Sequence, residues 1–237
     1  NGDDEDDYTV TDGAYAIVIE SGNVKINSTD DAIHCNGGDT FIRGGSIEID
    51  TCDDGITSDL LTSVKGGSVT VNTSYEGLEG AYVEISGGAV SVVSSDDGIN
   101  AASDDTSIKE YILISGGEIV VDAEGDGLDS NGSILMSGGN VTVHGPTGGG
   151  DGALDAETGI IVQGGTLYAA GSLGMVETPS SNSAQYVLSY AQSSAIAAGT
   201  TITVTNLDGA TIFTTTAKKS CQTVIISLAE FVSGGSY

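Results

Sequence analysis

Acidic residues recur along this chain at a nearly constant spacing, each in a short turn that reads Asp-Asp-Gly-Ile or a close variant. The second position of this turn is an acid in six places, at Asp31, Asp54, Glu76, Asp97, Asp126 and Asp151. Successive acids are 23, 22, 21, 29 and 25 residues apart. Carboxylates and backbone carbonyls supply the hard oxygen ligands that Ca²⁺ prefers, so the pattern predicts a series of calcium sites.

The charge balance explains why a cation is expected. The chain has 34 acidic residues against 6 Lys and Arg, and a formal net charge of −28, so basic side chains cannot pair the acids. If the acids lie on layers about 4.8 Å apart, neighbours repel by about 1 kcal/mol in water and more where solvent is restricted. Such a column raises its own pKa values unless a cation lies between the layers. The alternative is that the acids only solvate the surface of an acidic protein.

Further oxygen ligands are predicted from neighbouring positions of the same turn. We expect them to assist the six acids in binding Ca²⁺, and they are Asp53, Glu79, Asp96, Asn100 and Asp129. A loop that lengthens one repeat carries Asp104 and Asp105, which could close a site from outside.

A period in the low twenties is typical of a solenoid, in which each repeat forms one coil. Each acidic turn is preceded by a glycine and alternating apolar residues, as in Gly45-Ser46-Ile47-Glu48-Ile49. This alternation, rich in β-branched residues, predicts short strands with one buried side. Two further apolar columns recur with the same period, one at Ile19, Ile42, Val64, Ile85, Ile114, Met136 and Val162, the other at Ile33, Ile56, Leu78, Ile99 and Leu128.

The predicted fold is all-β: a right-handed parallel β-helix of about seven coils over residues 14–175. Residues 176–237 follow a different pattern, with alternating segments and a hairpin signal at Asp208-Gly209, and are predicted to form an antiparallel β cap. Residues 1–13 are predicted to form an acidic N-terminal arm.

Composition narrows the class of partner. The strong negative charge argues against nucleic acid and anionic membranes. No apolar run approaches the roughly 18 residues that membrane insertion needs. Cys35 and Cys52 could form a disulfide only at a favourable corner, and His34 and His144 are both predicted to be surface residues.

Three runs resemble a known family: Ser74-Tyr75-Glu76-Gly77-Leu78-Glu79-Gly80, Ser95-Asp96-Asp97-Gly98-Ile99-Asn100-Ala101 and Lys219-Ser220-Cys221-Gln222-Thr223-Val224. They are similar to runs in the bacterial carbohydrate-binding β-helix proteins that resemble pectate lyases. The resemblance spans roughly residues 15–237 and implies a calcium-binding β-helix, extracellular or on the cell surface, that binds cellulose or acidic pectin-type sugars. The chain departs from the family pattern at Cys221, where an aromatic residue is usual, and it looks short on the N-terminal side.

The functional hypothesis is therefore non-catalytic polysaccharide binding. Tyr75, Tyr82 and Tyr111 are the aromatic candidates for sugar contacts along neighbouring coils, beside Asp104 and Asp105. One alternative is a structural subunit that stacks head to tail into a surface filament. Another is a pectate-lyase-like enzyme, for which Lys109 is the best candidate base.

Overall fold

A computed structural model describes residues 15–237, and within that range no helix is present that could cross a membrane. The predicted arm at residues 1–13 lies outside the described residues. The strands are β1 Tyr15–Ile19, β2 Asn23–Ile26, β3 Ile33–Cys35, β4 Gly38–Ile42, β5 Ser46–Ile49, β6 Ile56–Val64, β7 Ser68–Ser74, β8 Leu78–Ser94, β9 Ile99–Ala101, β10 Tyr111–Ala123, β11 Leu128–Ser130, β12 Ser133–His144, β13 Leu154–Ala156, β14 Gly159–Val162, β15 Thr166–Gly171, β16 Val187–Ile196, β17 Thr201–Thr205, β18 Thr211–Thr216 and β19 Cys221–Ser227.

Seventeen strands form one continuous sheet, in which β1 to β15 wind into a solenoid of about seven turns, and this confirms the predicted parallel β-helix. Each coil contributes to three faces. Face A contains β1, β4 and β14, face B contains β2, β5, β7 and β15, and face C contains β3, β9, β11 and β13. The longer strands β6, β8, β10 and β12 bend around a corner and belong to more than one face.

The core is a stack of aliphatic side chains, one from each coil at each inward position. On face C, Ile56 pairs in register with Leu78, which pairs with Ile99, and all three are fully buried. On face A, Ile42 lies over Val64 in the same way. Burying a Val, Leu or Ile side chain contributes roughly 1.5–3 kcal/mol, so these columns hold successive coils together in one register.

The two repeated glycines serve different needs. At the corner between faces A and B, the glycine has a positive φ, from 79° at Gly67 to 102° at Gly22, a conformation that other residues rarely adopt. In the acidic turn between faces B and C, a Cβ on Gly98 would collide with the Val121 side chain and the Gly127 carbonyl. At Gly98 the position therefore requires glycine, because the next coil packs directly against it, whereas Ala32 and Ala153 occupy the equivalent position in the first and last turns.

The C-terminal residues close the solenoid with antiparallel strands, as predicted. Strand β19 pairs antiparallel with both β15 and β16, while β17 and β18 form a separate two-stranded sheet. A second apolar core joins this cap to the outside of face B and includes Tyr168, Val204, Cys221, Ile226 and Phe231.

The other two faces of the last coil are covered as well. Ser180 and Gln185 donate backbone N–H groups to carbonyls of β14, at 2.7 and 3.1 Å. On face C, the backbone N–H of Ala156 donates to Glu177 Oε2 at 3.1 Å. The segment that follows the last coil therefore covers part of its edge on each of these two faces.

The cap also corrects one expectation. His144 was predicted to be a surface residue, but it is only 8% exposed and lies edge-on to Tyr168, with the ring centroids 6.0 Å apart. The prediction was wrong because the cap covers the outside of face B at the last coils. Cys35, Cys52 and Cys221 are all free thiols, so the Cys35–Cys52 disulfide is not formed.

Candidate metal centre on the acidic face

Five of the six acids stack on successive coils at the turn between faces B and C. We call these residues the acid column: Asp31, Asp54, Glu76, Asp97 and Asp126. Most of these carboxylates accept the backbone N–H of the equivalent residue in the next coil, for example Asp97 Oδ1 from Asp126 at 2.6 Å. Asp31 and Asp54 do the same at 3.2 and 2.9 Å. The column is therefore part of the hydrogen-bonding between coils.

Asp151 does not belong to the column. The N–H that Asp126 Oδ1 accepts, at 2.6 Å, comes from Gly152, so Gly152 occupies the sixth place. Asp151 is shifted by one residue, to the position that Gly125 holds in the coil before. The prediction of six stacked acids is thus corrected to five. The longer loop at residues 145–150 shifts the register by one residue, and this shift cannot be recognised from the spacing of the acids.

A second column runs beside the first on the outer side of face C. We call it the outer column, and its members pair in register: His34, Thr57, Glu79, Asn100, Asp129 and Asp155. Asp155 was not identified from the sequence. Taking Asp151 as the equivalent of Asp126 places Ala153 at the position of Leu128, whereas the structure pairs Leu154 with Leu128. The match between Leu128-Asp129-Ser130 and Leu154-Asp155-Ala156 was the signal that could have revealed it.

The two columns bring three carboxylates together at the last coils. Asp126, Asp129 and Asp155 each offer an oxygen within 4.8 Å of the others, and all three side chains are partly buried. Burial, and then the neighbouring carboxylates, raise the pKa values of Asp126 and Asp129 to about 7. Among residues 15–237 no Lys or Arg forms an ion pair with this group. The group therefore concentrates negative charge that the described side chains do not neutralise.

The middle coils show the same shortage of positive charge. Burial is the main reason that the pKa of Glu76 rises to about 8 and that of Asp97 to about 6. Asn100 is only 7% exposed, and its amide nitrogen donates to Glu76 Oε2 at 3.0 Å. Its other amide atom, Oδ1, is buried and has no hydrogen-bond partner. Buried oxygens are normally paired, and an oxygen beside several carboxylates is a ligand that a hard divalent cation accepts.

The first two coils differ because a histidine lies in the outer column. His34 Nδ1 lies 3.0 Å from Asp31 Oδ2, and His34 Nε2 lies 3.5 Å from Asp59 Oδ1. The hydrogen bond to Asp31 is the main reason that the pKa of His34 rises to about 9, and the same bond lowers the pKa of Asp31. Asp30, Asp31 and Asp53 also form a group of three carboxylates, but here an imidazolium supplies the counter-charge.

The predicted sugar-binding tyrosines fall on two different surfaces. Tyr82 and Tyr111 stack on face A with their centroids 4.8 Å apart, and the Tyr111 hydroxyl donates to Glu84 at 2.7 Å. Tyr75 is 51% exposed and belongs to the acidic turn, where its backbone hydrogen-bonds Asp53 and Asp96. The expectation of three tyrosines in one row is therefore wrong.

The acids of the inserted loop lie apart from both groups of three carboxylates. Asp104 and Asp105 are exposed, and neither joins a group of three potential ligands in the described part of the chain. Asp105 instead accepts hydrogen bonds from the N–H and hydroxyl of Ser107, at 2.9 and 2.7 Å.

Face A carries an outer surface that sequence reasoning did not single out. Phe41 lies near two of the few basic side chains, Arg43 at 5.4 Å and Lys65 at 5.5 Å from the ring centroid. Leu61 pairs in register with Tyr82 and extends this surface towards the stacked tyrosines. The signal in the sequence was Phe41, an apolar residue at a position of β4 whose neighbours on both sides face the core.

Comparison with known proteins gives one match. A family model described as carbohydrate-binding domain-containing protein matches residues 51–221. No curated protein and no solved structure matches the chain. The matched range contains Glu76, Asp97, Asp126, Asp129 and Asp155, together with both stacked tyrosines. Since the match covers well over half of the residues, the chain belongs to the family of carbohydrate-binding domain-containing proteins, which supports a sugar-binding role.

Proposed function

We propose that the protein binds acidic polysaccharide, without catalysis, through Ca²⁺ held on face C. One observation carries this proposal: Asp126, Asp129 and Asp155 offer oxygens within 4.8 Å of one another, and no basic partner is described for them. Three clustered carboxylates of this kind repel one another and favour a divalent cation. Asn100 Oδ1, with Glu76, Glu79 and Asp97, would supply oxygens in the adjoining coils.

The substrate class follows from charge. A chain of net charge −28 repels a polyuronate, and bound Ca²⁺ would supply the positive charge that lets protein and sugar carboxylates share one region. The acid column orients its side chains through hydrogen bonds to the next coil, so the ligands are positioned before any cation binds. Calcium sites of extracellular modules bind in the 10⁻⁴–10⁻³ M range. We include in the proposal that this protein is extracellular or on the cell surface, where sites of that kind are found.

Face A supports a second mode of sugar binding. Tyr82 and Tyr111 form a partly exposed stacked pair, and aromatic faces are common platforms for sugar rings. A neutral, cellulose-type chain would use this surface and would not need the carboxylates. We place it second because Tyr75 lies on the acidic turn, which leaves a platform of only two rings.

Two other functions have less support. A lyase needs a base beside the cation, and Lys109 is exposed on the inserted loop, with no described hydrogen bond or ion pair to face C. A head-to-tail filament needs open coil edges at both ends, but β19, Ser180, Gln185 and Glu177 cover the last coil. Both observations favour a binding protein.

Binding of polygalacturonate, measured by calorimetry with Ca²⁺ and with EDTA, tests the proposal. We expect binding in Ca²⁺, its loss in EDTA, and a large weakening in Asp129→Asn and Asp155→Asn. The matched control is Asp104→Asn, which removes the same charge from the inserted loop and should bind like the wild type. Equal binding in EDTA would contradict the proposal. If the protein binds cellulose, and Tyr82→Ala loses this binding while Asp129→Asn and Asp155→Asn keep it, the result would favour the surface on face A.

A further inference from the structure

One part of this highly charged chain has no charge at all. Residues 178–207 contain no Asp, Glu, Lys, Arg or His, although the chain carries 34 acidic residues. This uncharged segment covers the last coil, forms all of β16, and enters the hairpin through β17. The acid column and the outer column both lie on the preceding coils.

Strand β16 lies at the edge of the large sheet. It pairs with β19 along one side, and no pairing to its other side is found among residues 15–237. Natural edge strands are usually protected by charged residues, Pro or bulges, since unpaired N–H and C=O groups attract other strands. β16 contains neither charge nor Pro, and its register breaks only between Ala191 and Ile196. Its regular part, residues 187–191, is therefore an unprotected edge.

Exposed apolar side chains surround this edge. Tyr190 is 48% exposed on β16, and Tyr186 just before it is 50% exposed. Val232 and Tyr237, at 60% and 40%, lie across a cleft of about 400 Å³ that the start of β16 also lines. Exposed aromatic and aliphatic residues clustered around a free edge are typical of an interaction surface.

We propose that the free edge of β16 pairs antiparallel with β16 of a second copy of this chain, about a two-fold axis. An edge strand is self-complementary under such an axis, because the same residues meet from both sides. With the axis at Ser189, the two Ser189 residues would face each other, and Leu188 would face Tyr190 of the other copy. The pairing is short, so the dimer is expected to be weak and concentration-dependent.

Charge, together with the self-complementary edge, favours a second copy as the occupant over a charged partner. Two molecules of net charge −28 repel each other over most of their surfaces, and the uncharged segment is where they can approach without that cost. A basic partner would be attracted to face C and would gain nothing from this segment. Residues 1–14 include Asp3, Asp4 and Glu5, so they offer this uncharged segment no complementary charge.

Sedimentation velocity in EDTA tests the proposal, because EDTA removes any association through Ca²⁺. We expect the wild type to shift from monomer to dimer as its concentration rises to about 100 μM. Ser189→Lys and Tyr190→Lys each place two like charges at the pairing and should weaken the dimer by at least about tenfold. Thr203→Lys is the matched control, since it adds the same charge at an exposed site of the uncharged segment on β17.

Hydrogen exchange distinguishes the remaining outcomes. Protection of the amides of residues 187–191 that grows with protein concentration supports the pairing. Protection at every concentration, lost when residues 1–14 are removed, would assign the edge to that segment and overturn the proposal. A protein that stays monomeric at the highest concentration, or a dimer that both Lys variants retain, would overturn it as well. Circular dichroism melting of each variant confirms that it remains folded.

Discussion

The two ends of the acidic face use the same turn but balance its charge differently. In the first coils, His34 lies between Asp31 and Asp59 and supplies a positive charge from within the chain. In the last coils, the outer column carries Asp129 and Asp155 instead, and no basic partner is described for them. One residue per coil in the outer column therefore decides whether the turn is a closed ion pair or a candidate cation site.

The pKa values show this difference directly. The hydrogen bond from His34 lowers the pKa of Asp31, whereas burial and neighbouring acids raise the pKa of Asp126 to about 7. Both carboxylates also accept an N–H from the next coil, at 3.2 and 2.6 Å, so their backbone environments are alike. The contrast therefore comes from burial at Asp126 and from the neighbouring side chains, which are acids there and His34 beside Asp31.

The largest expected effect is on calcium affinity at the last coils. Asp129→Asn removes one of three clustered carboxylates and should weaken Ca²⁺ binding by about tenfold or more, because affinity depends on ligand charge. Isothermal titration calorimetry gives the change. Asp31→Asn is the control at the other end and should leave this binding unchanged, since His34 already neutralises that turn. Equal losses in the two variants would remove the distinction between the ends.

Calcium should also stabilise the fold unevenly. At a hundredfold excess over Kd, a ligand adds about 2.7 kcal/mol, which corresponds to a rise in Tm of about 5–10 °C for a domain of this size. Calorimetry measures the rise, and hydrogen exchange locates it. We expect the added protection around residues 126–155, with little around residues 30–59. Protection that is uniform along the face would instead indicate cation binding at every turn.

The stability of the metal-free protein should fall as the pH rises. Glu76, with a pKa of about 8, and Asp126 and Asp129, with pKa values of about 7, hold protons in the folded state that the unfolded chain releases near pH 4. Deprotonation therefore favours unfolding between about pH 4 and pH 8. Melting curves in EDTA across this range test it, and saturating Ca²⁺ should flatten the slope. A melting temperature in EDTA that does not change with pH would show that folding does not raise the pKa values of these carboxyls.

The smallest effect is expected from His34→Gln. This change removes the ion pairs with Asp31 and Asp59, which are partly exposed and therefore contribute about 1 kcal/mol or less. Because the pKa of His34 is raised to about 9, its contribution is complete below about pH 6.5 and is lost as the pH rises through 9. In urea unfolding, the free energy of unfolding of the variant should therefore be lower than that of the wild type at pH 6 and equal to it at pH 10. A difference that persists at pH 10 would point to lost packing.

The fold was largely predictable from the sequence, and the site only in part. Inward positions such as Ile56, Leu78 and Ile99 recur with a fixed period, because each coil must bury the same side of each strand. Asp151 and Asp155 were misjudged because an insertion of unknown path separates them from the preceding turn. Counting residues across such a loop cannot tell which of two neighbouring acids joins the stack.

The sequence alone therefore specifies a coiled β architecture, with acidic turns along one edge and an uncharged C-terminal segment. Those properties follow from the periodicity and composition of the sequence, which can be determined without knowing which residues are in contact. The tertiary structure decides which carboxylates meet, that His34 reaches Asp59 in the next coil, and that β16 ends the sheet. The reason is that hydrogen bonds between coils set the register, and this register is independent of the lengths of the loops between strands.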